Sequence, residues 1–219
     1  MPRPENVFID ALFFINTFLS LLPAVFIFIK KKYFKEVLTF LMILCLLNFI
    51  ENIDLIIIPR PQIRNQNTIR NIFSLVELML IIQMFASSLN ARYKQLLIVF
   101  SVIVLAVVVT LYFAKGIDEK RIGIEIAMNI IIVAVVGIVS FNLVEREDVM
   151  IFNYPLFWIA IGTLFYFLIA LLVNIFDSGN EGQTDGIILL NIASFVRYTF
   201  YVLAVLYHKD DDSFEDDIY

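Results

Sequence analysis

The sequence predicts an all-α fold, a polytopic membrane bundle of seven transmembrane helices. Three observations predict it. The 219-residue chain is 61% hydrophobic and only 17% charged, where soluble domains average roughly 45–50% apolar. Its mean hydropathy is +0.88. Most of its charges fall in short clusters between seven apolar runs, each about long enough for the roughly 20 residues that a helix needs to cross a bilayer.

The runs can be taken in order. Val7–Ile29 is too long for the apolar segment of a cleavable signal, carries Asp10 and has no small-x-small cleavage site, so it is read as a retained span. Phe34–Ile58 follows the cluster KKKYFK and contains the single cysteine, Cys45, which excludes an internal disulfide. Thr68–Leu89 is apolar except for a few polar residues, Glu77 foremost. Leu96–Ala114, LLIVFSVIVLAVVVTLYFA, has no polar face on any side; a helix on a soluble core would show one. Ile122–Val144, Met150–Phe176 and Gly186–Tyr207 complete the set. Pro23 and Pro155 are read as kinks or packing features within spans. The connectors are short, so residues 1–207 form one transmembrane domain. Residues 208–219, HKDDDSFEDDIY, hold six acids in twelve positions and are read as a solvated, disordered tail. The sharper alternative is a docking segment for a cytoplasmic partner, with Phe214, Ile218 and Tyr219 as contacts.

Seven spans place the termini on opposite sides, here called A (N-terminal) and B (C-terminal). Side A receives Arg3, Arg60, Arg64, Arg70, Lys115, Lys120 and Arg121; side B receives Lys30, Lys31, Lys32, Lys35, Arg92, Lys94, Arg146 and Lys209. The balance is nearly even under the positive-inside rule. KKKYFK flanks the first helix pair tightly and DSGNEGQTDG on side A lacks lysine, so side B is read as cytoplasmic and side A as outside. The expected location is a cell membrane, inner or plasma.

Ionisable groups inside a span are expensive, about 2.5–3.5 kcal/mol at the helix centre on insertion scales. Their placement is therefore informative. Asp10, Glu51, Asp54, Glu77, Glu125 and the amide Asn174 all fall in the A-side half of their spans. Asn48, Glu51 and Asn52 follow i, i+3, i+4 spacing; Asn71, Ser74 and Glu77 step by three; Glu125 and Asn129 are one turn apart. On the seventh helix Asn191, Ser194, Arg197, Tyr198 and Tyr201 form a stripe. Arg197 lies roughly 16 Å into its span at 1.5 Å per residue, and it is the only basic residue deep in any span. A midplane arginine calls for a counter-charge. Glu77 and Glu51 approach from the same side at comparable depth, so Arg197 is expected to pair with one or both at the floor of a polar cavity open to side A. The expected binding or ion-pair residues are Glu51, Asn52, Asn71, Ser74, Glu77, Asn191, Ser194 and Arg197. A packed polar network that serves folding specificity and holds no ligand is the alternative. For Asp10, Asp54 and Glu125, close to the interface, solvation by headgroups and water is the expectation.

Two stretches echo each other. NIFSLVE, Asn71 to Glu77, and NIASFVR, Asn191 to Arg197, share the pattern Asn-Ile-x-Ser-apolar-Val-charge, with opposite charges at the end. The match suggests a three-plus-one-plus-three repeat, helices 1–3 over 5–7, with the featureless fourth helix as linker. Parallel repeats of this kind occur in transporters, with sites at the repeat interface.

Several chemistries are excluded. Zinc needs several His or Cys ligands, and the chain has one of each; this rules against seven-helix zinc hydrolases of the alkaline ceramidase kind. Arg197 stands where a retinal protein would need a lysine, and neither a GxGD protease motif nor a phosphate-cradling Gly-rich loop is present. No cofactor is expected, and no basic patch suits nucleic acid. A carboxylate-dependent membrane lipid enzyme, with Glu51 and Glu77 as acid and base, is a third reading; the residues lean away from an enzyme. With Asn71, Glu77 and FWIAIGTLFYF (Phe157 to Phe167), the chain resembles small uncharacterised bacterial seven-helix integral membrane proteins, a resemblance that implies no activity. The architecture also looks like the SWEET and PnuC type of transporter, though PRPQ (Pro59 to Gln62) lies in a loop and departs from their in-helix motif. The expected partners are the lipid bilayer, an unidentified small polar ligand and a cytoplasmic signalling protein. The expected function is a receptor-like sensor or ligand-binding protein, and the alternative is a small-solute transporter.

Overall fold

The computed structural model describes residues 4–30, 36–57, 63–116, 122–144, 154–176 and 184–207. They form α1 (Pro4–Ile29), α2 (Glu36–Ile57), α3 (Ile63–Ala86), α4 (Ala91–Lys115), α5 (Ile122–Val144), α6 (Pro155–Phe176) and α7 (Thr184–Leu206). All seven are long and apolar enough to cross a membrane, so the chain is a multi-pass membrane protein. Helices are the outcome because lipid offers no partner for backbone N–H and C=O groups, and a helix pairs them within one segment.

Four helices begin earlier than the apolar runs suggested, α1 and α7 slightly and α3 and α4 by more than a turn. α3 starts at Ile63 and α4 at Ala91, because polar helix formers such as Gln66 and Arg92 extend the hydrogen-bonded ladder past the apolar stretch. α3 ends at Ala86 in a tight turn. There Ser87 Oγ donates to the Met84 carbonyl and Ser88 Oγ to the Phe85 carbonyl, each at 2.7 Å, which satisfies carbonyls left over at a helix end. α4 stops at Gly116, whose φ of 92° lies where a side chain would clash. Its N–H closes the helix on the Tyr112 carbonyl at 2.8 Å. Pro155 is not inside α6 but is its first residue, where its missing N–H is no loss. Pro23 does sit inside α1. Met150 and the acidic tail lie outside the described residues.

The extended packing contacts are α1–α2, α2–α3, α3–α5, α5–α6, α6–α7 and α7–α1, which close a six-helix ring; α4 adds one contact, to α3. If α1, α2 and α3 exchange places with α5, α6 and α7, every ring contact becomes another observed ring contact. Any six helices that close a ring in chain order have this property; the contacts place α4 outside the ring. α4 accordingly presents bare apolar side chains outward, among them Val99, Ile103, Val107 and Phe113.

The ring interior is filled differently in its two halves. Toward side B it is apolar and closed: Leu38 and Leu41 of α2, Met84 and Phe85 of α3, Ile159 of α6 and Ala204 and Val205 of α7 are all buried in one cluster. Arg197 and Glu77 stand near mid-span, with the half-buried Glu51 and Asn191 on their A side. α6 and α7 approach closely at Gly162, where an added Cβ would stand 2.9 Å from Phe200 Cβ and 3.1 Å from the Arg197 carbonyl oxygen. Small residues at such crossings let membrane helices pack backbone to backbone.

Candidate functional site: an arginine–glutamate pair inside the ring

Arg197 and Glu77 meet across the ring. The Nη2 of Arg197, on α7, donates to Oε1 of Glu77, on α3, at 2.7 Å. Their side chains are 2% and 16% exposed. Of the two candidate partners, Glu77 forms the bond. Glu51, on α2, stays half-buried and acts through space, within electrostatic reach of Glu77, Arg70 and Arg197.

The guanidinium is held on its other edge as well. Arg197 Nε donates to the Tyr201 hydroxyl at 2.8 Å. That hydroxyl is 2.9 Å from Thr163 Oγ1 on α6, and Thr163 donates its own proton to the Ile159 carbonyl at 2.7 Å. The chain of donors therefore runs one way, from Arg197 through Tyr201 and Thr163 to the α6 backbone. Four rings surround the cation: Tyr166, Phe167, Tyr201 and Tyr198 lie 4.7, 5.3, 5.3 and 5.8 Å from the guanidinium carbon. The negative faces of aromatic rings favour a cation. Arginine suits this setting because it is always charged, is weakly hydrated and stacks on rings.

One turn and a half toward side A, α7 is tied to α1. Asn16 Nδ2 donates to the Asn191 backbone carbonyl at 2.8 Å and approaches its Oδ1 at 3.2 Å. Asn191 Nδ2 in turn donates to the Ile187 carbonyl.

The expected residues divide into groups. Glu77, Arg197 and, through space, Glu51 converge. Asn191 bonds to α1, and Ser194 bonds back to the Leu190 carbonyl on its own helix. Asn71 faces elsewhere: its Oδ1 accepts from Tyr112 of α4 at 3.3 Å. Steps of three on a helix drift by about 60° each, so Asn71 and Glu77 end on different sides of α3, with half-buried Ser74 between them. Asn52 is half-buried beside Glu51. Asn16, Thr163, Tyr166 and Phe167 belong to the site and had not been expected there. Asn16 alone carried a signal, as an amide in the middle of an apolar run; the aromatic residues look like lipid-facing bulk until the fold turns them inward.

Among the described residues no group of three or more His, Cys, Asp or Glu could hold a metal ion. No protein-family model matches the chain, and neither a curated protein nor a solved structure does. The candidate site therefore rests on its own geometry.

Proposed function

We propose that this protein is a membrane receptor or ligand-binding protein whose site opens to side A, the outside, and whose helix packing is read by a cytoplasmic partner. One observation carries the reading. The Arg197–Glu77 pair lies near mid-span with Glu51 on its A side, and toward side B the buried cluster is mainly apolar. A ligand that reaches the Glu77–Arg197 floor touches helices from both halves of the ring, so binding can shift their packing without opening a path through the membrane.

A second reading, a small-solute transporter, draws on a different observation. The echo of NIFSLVE in NIASFVR falls on α3 and α7 of the two ring halves, and halves related as a repeat can rock against each other in alternating access. Transport would require the apolar cluster toward side B to open.

Accessibility separates the two. Asn52→Cys, in a Cys45→Ser background, is treated with a membrane-impermeant maleimide from each side of oriented vesicles. Labelling from side A alone supports the receptor. Labelling from both sides, with solute flux in proteoliposomes, reverses the ranking. Labelling from neither side removes the ligand site altogether.

A further inference from the structure

Arg197 and Glu77 are held with unequal firmness. Among the described residues, every group that fixes the guanidinium apart from Glu77 stands on α6 or α7. Tyr201 accepts from Nε at 2.8 Å. Tyr166 and Phe167 of α6 and Tyr198 and Tyr201 of α7 surround the cation. These two helices are themselves joined along their length. Gly162 lets the backbones meet, Thr163 lies 2.9 Å from the Tyr201 hydroxyl, and Trp158 stacks on both Phe200 and Tyr207 with ring centroids 5.8 Å apart. Arg197 is thus a fixture of one α6–α7 unit.

Glu77 has no such mount. Among the described residues its carboxylate has one hydrogen-bond partner, Arg197 Nη2, and Glu77 is the more exposed member of the pair. Its helix, α3, packs on α2, α4 and α5 and makes no extended contact with α6 or α7. The ion pair therefore reaches across the ring between elements that otherwise pack on different neighbours. α4 rides on α3, which is its one extended contact, and Tyr112 donates to Asn71 at 3.3 Å. The tight turn after Ala86 joins the two helices at side B. On the opposite seam Asn16 ties α1 to α7 at 2.8 Å, so α1 is anchored to the same side as Arg197.

We propose that the Glu77–Arg197 pair is a releasable latch, with Arg197 as the fixed catch on α6–α7 and Glu77 as the member that lets go. Release leaves the guanidinium on Tyr201 and its rings. It frees α3, which carries α4 with it, and the displacement reaches side B through the turn that joins them. Small shifts at one contact grow into such movements because packed helices switch between discrete arrangements. This inference goes beyond the ligand-site reading: it names the moving part, whichever solute enters.

Double electron–electron resonance in lipid nanodiscs tests it with no ligand present, so the outcome is independent of the ligand-site reading. In a Cys45→Ser background, one pair of spin labels replaces the exposed Ile72 of α3 and Ile192 of α7. A second pair, within the α6–α7 unit, replaces the exposed Leu172 and Leu206. Glu77→Ala should lengthen the Ile72–Ile192 distance by about 2 Å or more, at or beyond the usual helix shift at a switching interface, and leave Leu172–Leu206 unchanged. Glu77→Ala/Arg197→Met strands no charge and should show the same shift; it carries the test if the single variant does not fold. An unchanged Ile72–Ile192 distance in the folded double variant overturns the proposal. So does a shift of Leu172–Leu206 in Glu77→Ala, because the mount of Arg197 would then have moved as well.

Discussion

Replacing Glu77 by Gln keeps the shape of the side chain and removes its charge. Arg197 would remain, 2% exposed, with no counter-ion in bonding contact. A nitrogen–oxygen distance of 2.7 Å puts the charge centres about 4 Å apart, worth about 4 kcal/mol at an effective dielectric near 20. Removing one partner of a buried pair costs about 3–5 kcal/mol because the other charge is stranded. The hydrogen bond to Tyr201 and the four surrounding rings persist, so the lower end, about 3 kcal/mol, is expected. Reversible unfolding in mixed micelles measures it. The double variant Glu77→Gln/Arg197→Met removes both charges, and it should be more stable than the sum of the single losses implies, by about 2–3 kcal/mol of coupling. A Glu77→Gln protein within about 1 kcal/mol of wild type, or strictly additive losses, would refute the claim that this pair is desolvated and coupled.

Other outcomes follow from the same geometry. Tyr201→Phe removes the hydroxyl between Arg197 and Thr163 and should lower stability by about 1–3 kcal/mol, the range for stranding a buried donor, read in the same unfolding assay. Gly162→Ala drives a Cβ into Phe200 and the Arg197 backbone and should cost about 1–3 kcal/mol as an overpacked contact. Gly137→Ala meets nothing within 4 Å and should instead raise the melting temperature, in line with a helix-propensity gain of up to about 1 kcal/mol. Asn16→Leu loses the α1–α7 bond and should cost about 0.6 kcal/mol and at most about 1.7, the measured range for hydrogen bonds between membrane helices; thermal unfolding in detergent checks it.

Much of the fold was legible because the bilayer imposes a strong rule. Any run of roughly 20 apolar residues must satisfy its backbone internally, and in one segment only a helix does so. Phe34–Ile58 and Leu96–Ala114 were thus readable as spans from hydropathy alone. Their ends were less so, since Ile63 and Ala91 begin helices in polar sequence where hydropathy falls silent. Within the site, Arg197 announced itself by depth and Glu77 by its unusual company. Asn71 misled, because spacing by threes reads as one face until the drift of the helix is followed into the neighbouring α4.

The sequence by itself determined that this is a seven-span helical membrane protein and that Arg197, deep in its span, needs a carboxylate. Those conclusions depend only on the free energy of placing each residue in hydrocarbon. Which carboxylate pairs with Arg197, which rings enclose it and which helices hold it were decided by tertiary structure. They depend on which helices become neighbours across the ring, and apolar faces that all resemble one another carry little of that information.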